Sequence, residues 1–377
     1  MTATGNGPLA GVRVVELAGI GPGPFAAMLL GDLGADVVRV DRPGGAGLAI
    51  DPAYDLTNRN KRSVLIDLKA ADGPGQVLDL AERADVLIEG YRPGVAERLG
   101  VGPDACLARN PRLVYGRMTG WGQDGPLAER AGHDIAYIAL TGTLSMIGKA
   151  DEPPVVPANL VGDYAGGSLY LVIGVLAALQ HARTEGGAGQ VVDAAIVDGA
   201  AHLATMIHGM MAAGGWQDRR GANLLDGGCP FYGTYETSDG HAMAVGALEQ
   251  QFYDEFVERL GIKDDIPARK DFARWDELRR AVADRFRTRT RAEWTAVFEG
   301  SDACVAPVLS LREAPAHPHL AARGTFTDHS GITQPAPAPR FSATPGAVTR
   351  GPALPGADTA EVARDWDVPG IQPQEDR

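Results

Sequence analysis

Cysteine is scarce in this chain and positive charge is in deficit. Only Cys106, Cys229 and Cys304 occur, far apart among 377 residues. An odd, dispersed set argues against a disulfide framework and for a reducing compartment, so the expected location is the cytoplasm. Lysine and arginine number 35 against 48 aspartates and glutamates, a formal net charge of −13. Such a surface repels phosphate backbones and anionic lipid, which argues against nucleic acid or a membrane as the main partner. A local basic cluster can still hold a small anionic ligand. Long apolar runs are also lacking. The longest uncharged stretch, Tyr164 to Gln180, contains glycine and serine. It falls short of the roughly 18 apolar residues of a membrane span, so no span is expected and the stretch reads as a buried helix. Residues 1–8 carry no signal-peptide pattern, and Gln374-Glu375-Asp376-Arg377 is not a peroxisomal address.

What is present is ordinary globular material, 45% hydrophobic and 22% charged, with a length that suggests roughly two to three domains. The first half alternates strands and helices. Val12–Leu17, Asp36–Val40, Ser63–Leu68, Ala84–Glu89 and Leu113–Met118 read as strands, with helices at Phe25–Gly34, Ala71–Arg83 and near Val95–Leu99. This order predicts an α/β fold with a mostly parallel, Rossmann-like sheet covered on both faces. Gly166–His181 and Asp198–Ala213 read as long apolar helices flanking a strand at Gly189–Ala194. A second module starts near Gly221, with a hairpin across Ser238-Asp239-Gly240 and amphipathic helices at Glu249–Leu260, Trp275–Arg287 and Arg291–Glu299. The proline-rich Ile332–Pro355 reads as an extended strap.

Two proton carriers stand beside glycine: His133 in Gly132-His133-Asp134, and Asp163 in Val161-Gly162-Asp163-Tyr164-Ala165-Gly166-Gly167. Facing one carbon, they could remove a proton from one side and return it on the other. Taken alone, Asp163 also fits a helix cap and His133 a satisfied loop histidine. A competing motif is Gly21-Pro22-Gly23-Pro24-Phe25-Ala26, which matches the G-x-G-x-x-A dinucleotide fingerprint, with Asp41 as the ribose-binding acid. Pro22 and Pro24 lack the N–H groups a phosphate nest needs, and Arg39 and Arg42 make the strand end basic. A tight strand-to-helix turn is the better reading.

The chain resembles the alpha-methylacyl-CoA racemases of the family III CoA-transferase superfamily from about Leu9 to about Phe341. The resemblance is carried by Gly31-Asp32-Leu33-Gly34-Ala35-Asp36, Gly90-Tyr91-Arg92-Pro93-Gly94, Thr119-Gly120-Trp121-Gly122, Gly132-His133-Asp134-Ile135, Leu225-Asp226-Gly227-Gly228 and Asp302-Ala303-Cys304-Val305. It implies an interlocked, obligate homodimer. Each chain would have an N-terminal CoA-binding part at 1–200, a linker helix at 201–220, a small α+β domain at 221–311 and a strap at 312–377 returning to the large domain. It implies a 2-methylacyl-CoA substrate and neither metal nor redox cofactor. His133 and Asp163 become the base and acid of a 1,1-proton transfer through an enolate, and Glu249 the partner of His133 from the other subunit. The family usually has proline after this glutamate; here Gln250 follows. Backbone N–H groups near Asp163 would stabilise the enolate, with Gly166 and Gly167 allowing close approach.

CoA contacts carried over from the resemblance are Arg42, Ile66, Asp67, Leu68, Lys69, Gly90, Tyr91, Arg92, Arg98, Gly132, Asp134, Ile135, Ala136 and Tyr137, with Arg59, Lys61 and Arg62 as a further basic knot. Met206, Met210 and Met211 resemble the floor along which the acyl tail slides. The acyl chain itself, whether fatty, sterol side-chain or aryl-propionyl, stays open. The main rival is a family III CoA-transferase with Asp163 as the nucleophile of an acyl anhydride.

Overall fold

The computed structural model describes residues 7–45 and 50–372. The chain forms two compact units: Met1–Thr141 with Pro157–Ala204 and Ala322–Arg377, and Gly142–Val156 with Thr205–Ala321.

In chain order the first unit contains β1 (Arg13–Leu17), α1 (Pro22–Asp32), β2 (Asp36–Asp41), β3 (Lys61–Leu65), α2 (Gly73–Arg83), β4 (Val86–Glu89), α3 (Val95–Arg98), α4 (Pro103–Arg109), β5 (Val114–Thr119) and α5 (Asp134–Leu140). A π-helical stretch, Leu160–Ser168, runs into α6 (Leu169–Ala182), then β6 (Gln190–Ala195) and α7 (Ile196–Leu203). The six strands pair in parallel in the order β3-β2-β1-β4-β5-β6. This is a doubly wound sheet whose order reverses between β1 and β4. In such sheets, ligands bind outside the carboxyl ends of the strands at that point.

The apolar strand runs follow from burial on both faces. Val15, Val38, Leu87 and Tyr115 share one core with Leu80 of α2 and with Val362, Trp366 and Ile371 from the far end of the chain. Their neighbours Val14, Val37, Val86 and Val114 join the opposite core, with Leu30 of α1 and Leu171 and Val175 of α6. The C-terminal segment is more than an extended strap. It holds a hairpin, Phe326–His329 paired with Ile332–Pro335, and a helix at Thr359–Asp365. Trp366 Nε1 donates to Asp36 Oδ2 at 2.8 Å.

The helical run from Leu160 to Ala182 spans 23 residues, longer than the uncharged stretch suggested. By length and composition it is apolar enough to cross a membrane. In this unit its buried residues, among them Leu171, Val175 and Leu179, pack into the second core beside β5 and β6.

The second unit contains α8 (Thr205–Ala212), β7 (Tyr232–Glu236), β8 (Ala242–Gly246), α9 (Gln250–Leu260), α10 (Trp275–Phe286), α11 (Arg291–Phe298) and β9 (Val305–Pro307). Its strands form an antiparallel sheet, β7-β8-β9, over an aromatic core of Phe256, Phe286, Trp294 and Phe298. The expected single helix from Asp198 to Ala213 is two, α7 and α8, assigned to different units. Residues 142–156 join the second unit because the Arg220 guanidinium donates to the carbonyls of Ser145 (2.7 Å), Lys149 (2.8 Å) and Glu152.

Candidate active site

A cavity of about 680 Å³ opens at the carboxyl ends of β1, β4 and β5. The turn from β1 into α1 forms one wall, Gly90–Pro93 and Thr119–Trp121 another, and His133, Tyr137, Asn159 and Asp163 close it. The sequence-predicted pair therefore shares one cavity.

Asp163 lies in the first turn of the π-helical stretch. Its side chain is half-buried. Burial holds its carboxyl above the ordinary carboxylate range; the amide of Asn159 and the charge of His133 pull it down, and Asp134 pushes it further up. Asn159 Nδ2 donates to Asp163 Oδ2 at 3.3 Å. Asn159 was not singled out in the sequence, although its position four residues before Asp163 was a helical-spacing signal. Gly21, with φ of 75°, lies against the same oxygen: a Cβ there would sit 3.3 Å from Asp163 Oδ2. The glycine of the dinucleotide-like motif thus makes room for a carboxylate. Its supposed ribose acid, Asp41, is buried and committed, accepting from Arg39 Nε (2.8 Å) and Ser63 Oγ (2.6 Å).

His133 is the N-cap residue of α5, with an extended backbone and no side-chain capping bond, so its exposed imidazole is free to face the cavity. One turn on, Tyr137 fits a slot between two glycines. A Cβ at Gly120 would lie 1.9 Å from its ring, and one at Gly132 2.6 Å. Trp121 packs edge-on against it at 4.7 Å. Burial, followed by the nearby Asp163 carboxylate, raises the Tyr137 hydroxyl, while Arg92 lowers it.

Asp134 is buried and lies outside the cavity lining. Its Oδ2 accepts the backbone N–H of Asp163 at 2.7 Å, occupying the place a Cβ of residue 162 would take. This carboxylate therefore organises the Asp163 turn from behind, and the Asp163 N–H is already committed. Gly166 and Gly167 are also absent from the lining. A Cβ at Gly166 would come within 2.9 Å of the Ala200 nitrogen, and one at Gly167 within 3.0 Å of Ile196. They are glycine so that α7 can pack closely, which corrects the reading that they admit substrate.

Of the expected CoA contacts, Arg42, Gly90, Tyr91, Arg92, Gly132 and Tyr137 line the cavity. Ile66 is buried in the core and Leu68 packs against it; Asp67 accepts the Lys69 N–H at 2.9 Å. Arg98 and Ile135 are exposed, and Ala136 is half-buried on α5, all three outside the lining. The basic knot is spoken for. Arg59 pairs with Asp32 at 2.5 Å, Lys61 with Glu16 at 2.5 Å, and Arg62 with Asp36 at 2.6 Å and Asp365 at 3.0 Å. Arg42, Arg92 and Arg130 are the exposed cations that line this mouth. Among the described residues, no group of three or more His, Cys, Asp or Glu is placed to hold a metal.

Glu249 belongs to the second unit. It is the exposed N-cap of α9 and makes no side-chain cap. Met206 and Met211 are exposed on α8, in the same unit.

CoA-transferase family III matches residues 9–359 of the chain. The chain belongs to that family. It is 45% identical over 362 residues to the alpha-methylacyl-CoA racemase of Mus musculus, covering 95% of this chain and 93% of that protein. It is 46% identical over 341 residues to the Homo sapiens racemase of the same name, covering 89% and 87%. Among family III structures, a CAIB/BAIF family protein from Brucella suis superposes with a TM-score of 0.83 at 27% identity, covering 96% of this chain and all of that one.

Proposed function

We propose that this family III protein is an isomerase, an alpha-methylacyl-CoA racemase that interconverts (2R)- and (2S)-2-methylacyl-CoA thioesters. The observation that carries the reading is the pairing of His133 with Asp163, whose carboxyl burial pushes upward, in one cavity, in a chain so similar to two racemases along nearly its whole length. Neutral His133 removes the α-proton of one enantiomer, and the C–H electron pair moves onto the thioester oxygen as an enolate. Protonated Asp163 then delivers a proton to the opposite face. That turnover leaves an imidazolium and a carboxylate, the state set for the other enantiomer. Burial is what keeps a carboxyl protonated for such work. Proton transfer of this kind calls for no metal or redox cofactor. Arg42 and Arg92 offer guanidiniums to the phosphates of CoA.

We further infer an interlocked homodimer. Leu160, Leu169 and Ile173 are 60%, 45% and 62% exposed on the long helical run of the first unit, and a second copy would cover them. The same contact would satisfy this run without a bilayer and allow Glu249 of one chain to support His133 of the other, in a cytoplasmic enzyme. Sedimentation in detergent-free buffer tests the dimer against a membrane-bound monomer.

The test of the activity is incubation of one enantiomer of a 2-methylacyl-CoA in D₂O without any acceptor acid. A racemase takes up α-deuterium and loses optical purity. Label entering only when a second carboxylic acid is supplied overturns it. Family membership favours one second reading, a CoA-transferase in which Asp163 attacks the thioester; hydroxylamine trapping of an acyl group in the wild type but not in Asp163→Ala would favour that reading.

A further inference from the structure

We infer that Arg269 is a positioning residue for Glu249: its guanidinium clamps the turn that presents this carboxylate. The inference rests on the reading of Glu249 as the group that supports His133.

The turn lies within the second unit, between β8 and α9. The backbone on its strand side is fixed, with the Gly246 N–H on the Cys304 carbonyl and the Ala247 N–H on the Phe231 carbonyl, both at 2.9 Å. Glu249 then caps α9, its carbonyl accepting the Tyr253 N–H at 2.9 Å. Arg269 reaches this turn from the loop after α9. Its Nη2 donates to the Leu248 carbonyl, and its Nη1 to Gln250 Oε1 at 3.4 Å. One planar cation thus brackets Glu249 on both sides.

The clamp is itself held. The guanidinium lies 4.5 Å from the centre of the Phe231 ring and 5.3 Å from that of Tyr253, and the Arg269 carbonyl accepts Trp275 Nε1 at 2.9 Å. A flat, delocalised cation between aromatic rings presents its donors in a fixed fork, which a lysine ammonium cannot reproduce. Such a device explains the Gln250 departure. Glu249 has φ of −79° and ψ of 151°, the extended conformation that a following proline imposes on its predecessor. Proline is also well suited to the first helical position. Here no ring fixes that geometry from within, and Arg269 fixes it from outside. The Glu249 carboxylate, free of capping, is left to point where the turn aims it.

The test compares E249Q, R269Q, R269K, R269Q/E249Q and R269Q/Q250P by α-deuterium exchange at saturating substrate, with KM and thermal melting recorded for each. R269Q and R269K should lower kcat by about tenfold to a hundredfold, the loss expected when a catalytic group is misplaced by about an ångström, with KM little changed. R269Q/E249Q should be no slower than E249Q, and R269Q/Q250P should recover most of the rate. A merely structural arginine would add its loss to that of E249Q and would not be rescued by proline; either result overturns the inference. So does a wild-type rate in R269Q or R269K beside a collapsed E249Q. A wild-type rate in E249Q overturns the reading of Glu249, and the clamp with it. R269K keeps a cation between the rings, so the comparison survives if the glutamine variant does not fold.

Discussion

The first unit contains two kinds of carboxylate removed from solvent, fully buried at Asp32 and Glu89 and half-buried at Asp163. Asp32 and Glu89 are each paired with a guanidinium: Asp32 with Arg59, in a two-pronged contact, and Glu89 with Arg117 at 2.9 Å. Asp163 has only the Asn159 amide, the neighbouring Asp134 carboxylate and His133. Burial pushes all three carboxyls upward, so the direction of the shift does not separate them. The partners do. A fixed cation opposes that upward push and commits the carboxylate to structure. Where the cation is replaced by an amide and a second carboxylate, no ion pair commits the group to structure, which suits the proton transfer proposed for Asp163.

The comparison breaks most visibly at the unpaired end. His133→Ala and Asp163→Asn should each cut α-deuterium exchange by a factor on the order of 10² to 10⁴, while CoA binding by calorimetry is retained. Asp163→Asn should also stabilise the fold near neutral pH. A carboxyl whose folded pKa is raised by burial contributes stability below its unfolded value of 3.8 and loses it as pH rises through the folded value. Urea melts of the variant and the wild type should therefore diverge at pH 7 and converge or cross under acid.

At the paired end, Arg59→Met should cost about 3–5 kcal/mol, because it strands Asp32 without its cation. By the same sign argument the deficit should shrink as pH falls and Asp32 takes up a proton. Exchange per folded molecule should hold. Gly199→Ala tests the close helix contact, since its Cβ would fall 1.8 Å from the Gly166 carbonyl oxygen. Overpacking of this kind should cost about 1–3 kcal/mol in chemical denaturation, without moving the pH profile. The smallest effect is expected from Asp134→Asn. Its amide oxygen can still accept the Asp163 N–H, but burial is then no longer reinforced by a like charge. The pH at which Asp163 ionises, followed in the pH–rate profile, should move down.

The strands of the parallel sheet were legible because Val14, Val15, Val37, Val38, Val86 and Leu87 form runs that only burial on both faces explains. The break between α7 and α8 was not, because no glycine or proline marks Ala204 and the apolar pattern continues across it. The helix at Thr359–Asp365 was hidden behind the proline-rich stretch that precedes it. His133 and Asp163 could be named from their motifs, and the cavity brings them together. The roles of Gly166 and Gly167 were misread because a glycine that admits a ligand and one that admits a neighbouring helix look alike in one dimension. Likewise Arg59, Lys61 and Arg62 looked like an anion site until their carboxylate partners, distant in sequence, were known.

Val362, Trp366, Val368 and Ile371 complete a core whose other members begin at Val15. All residues of the second unit are threaded between those two ends of the first. During translation the leading half of the sheet therefore emerges from the ribosome long before the residues that seal one of its faces. The intervening unit has local hairpin and helix contacts with which to fold first. Until the last stretch is made, an apolar flank of the sheet lacks the residues that cover it.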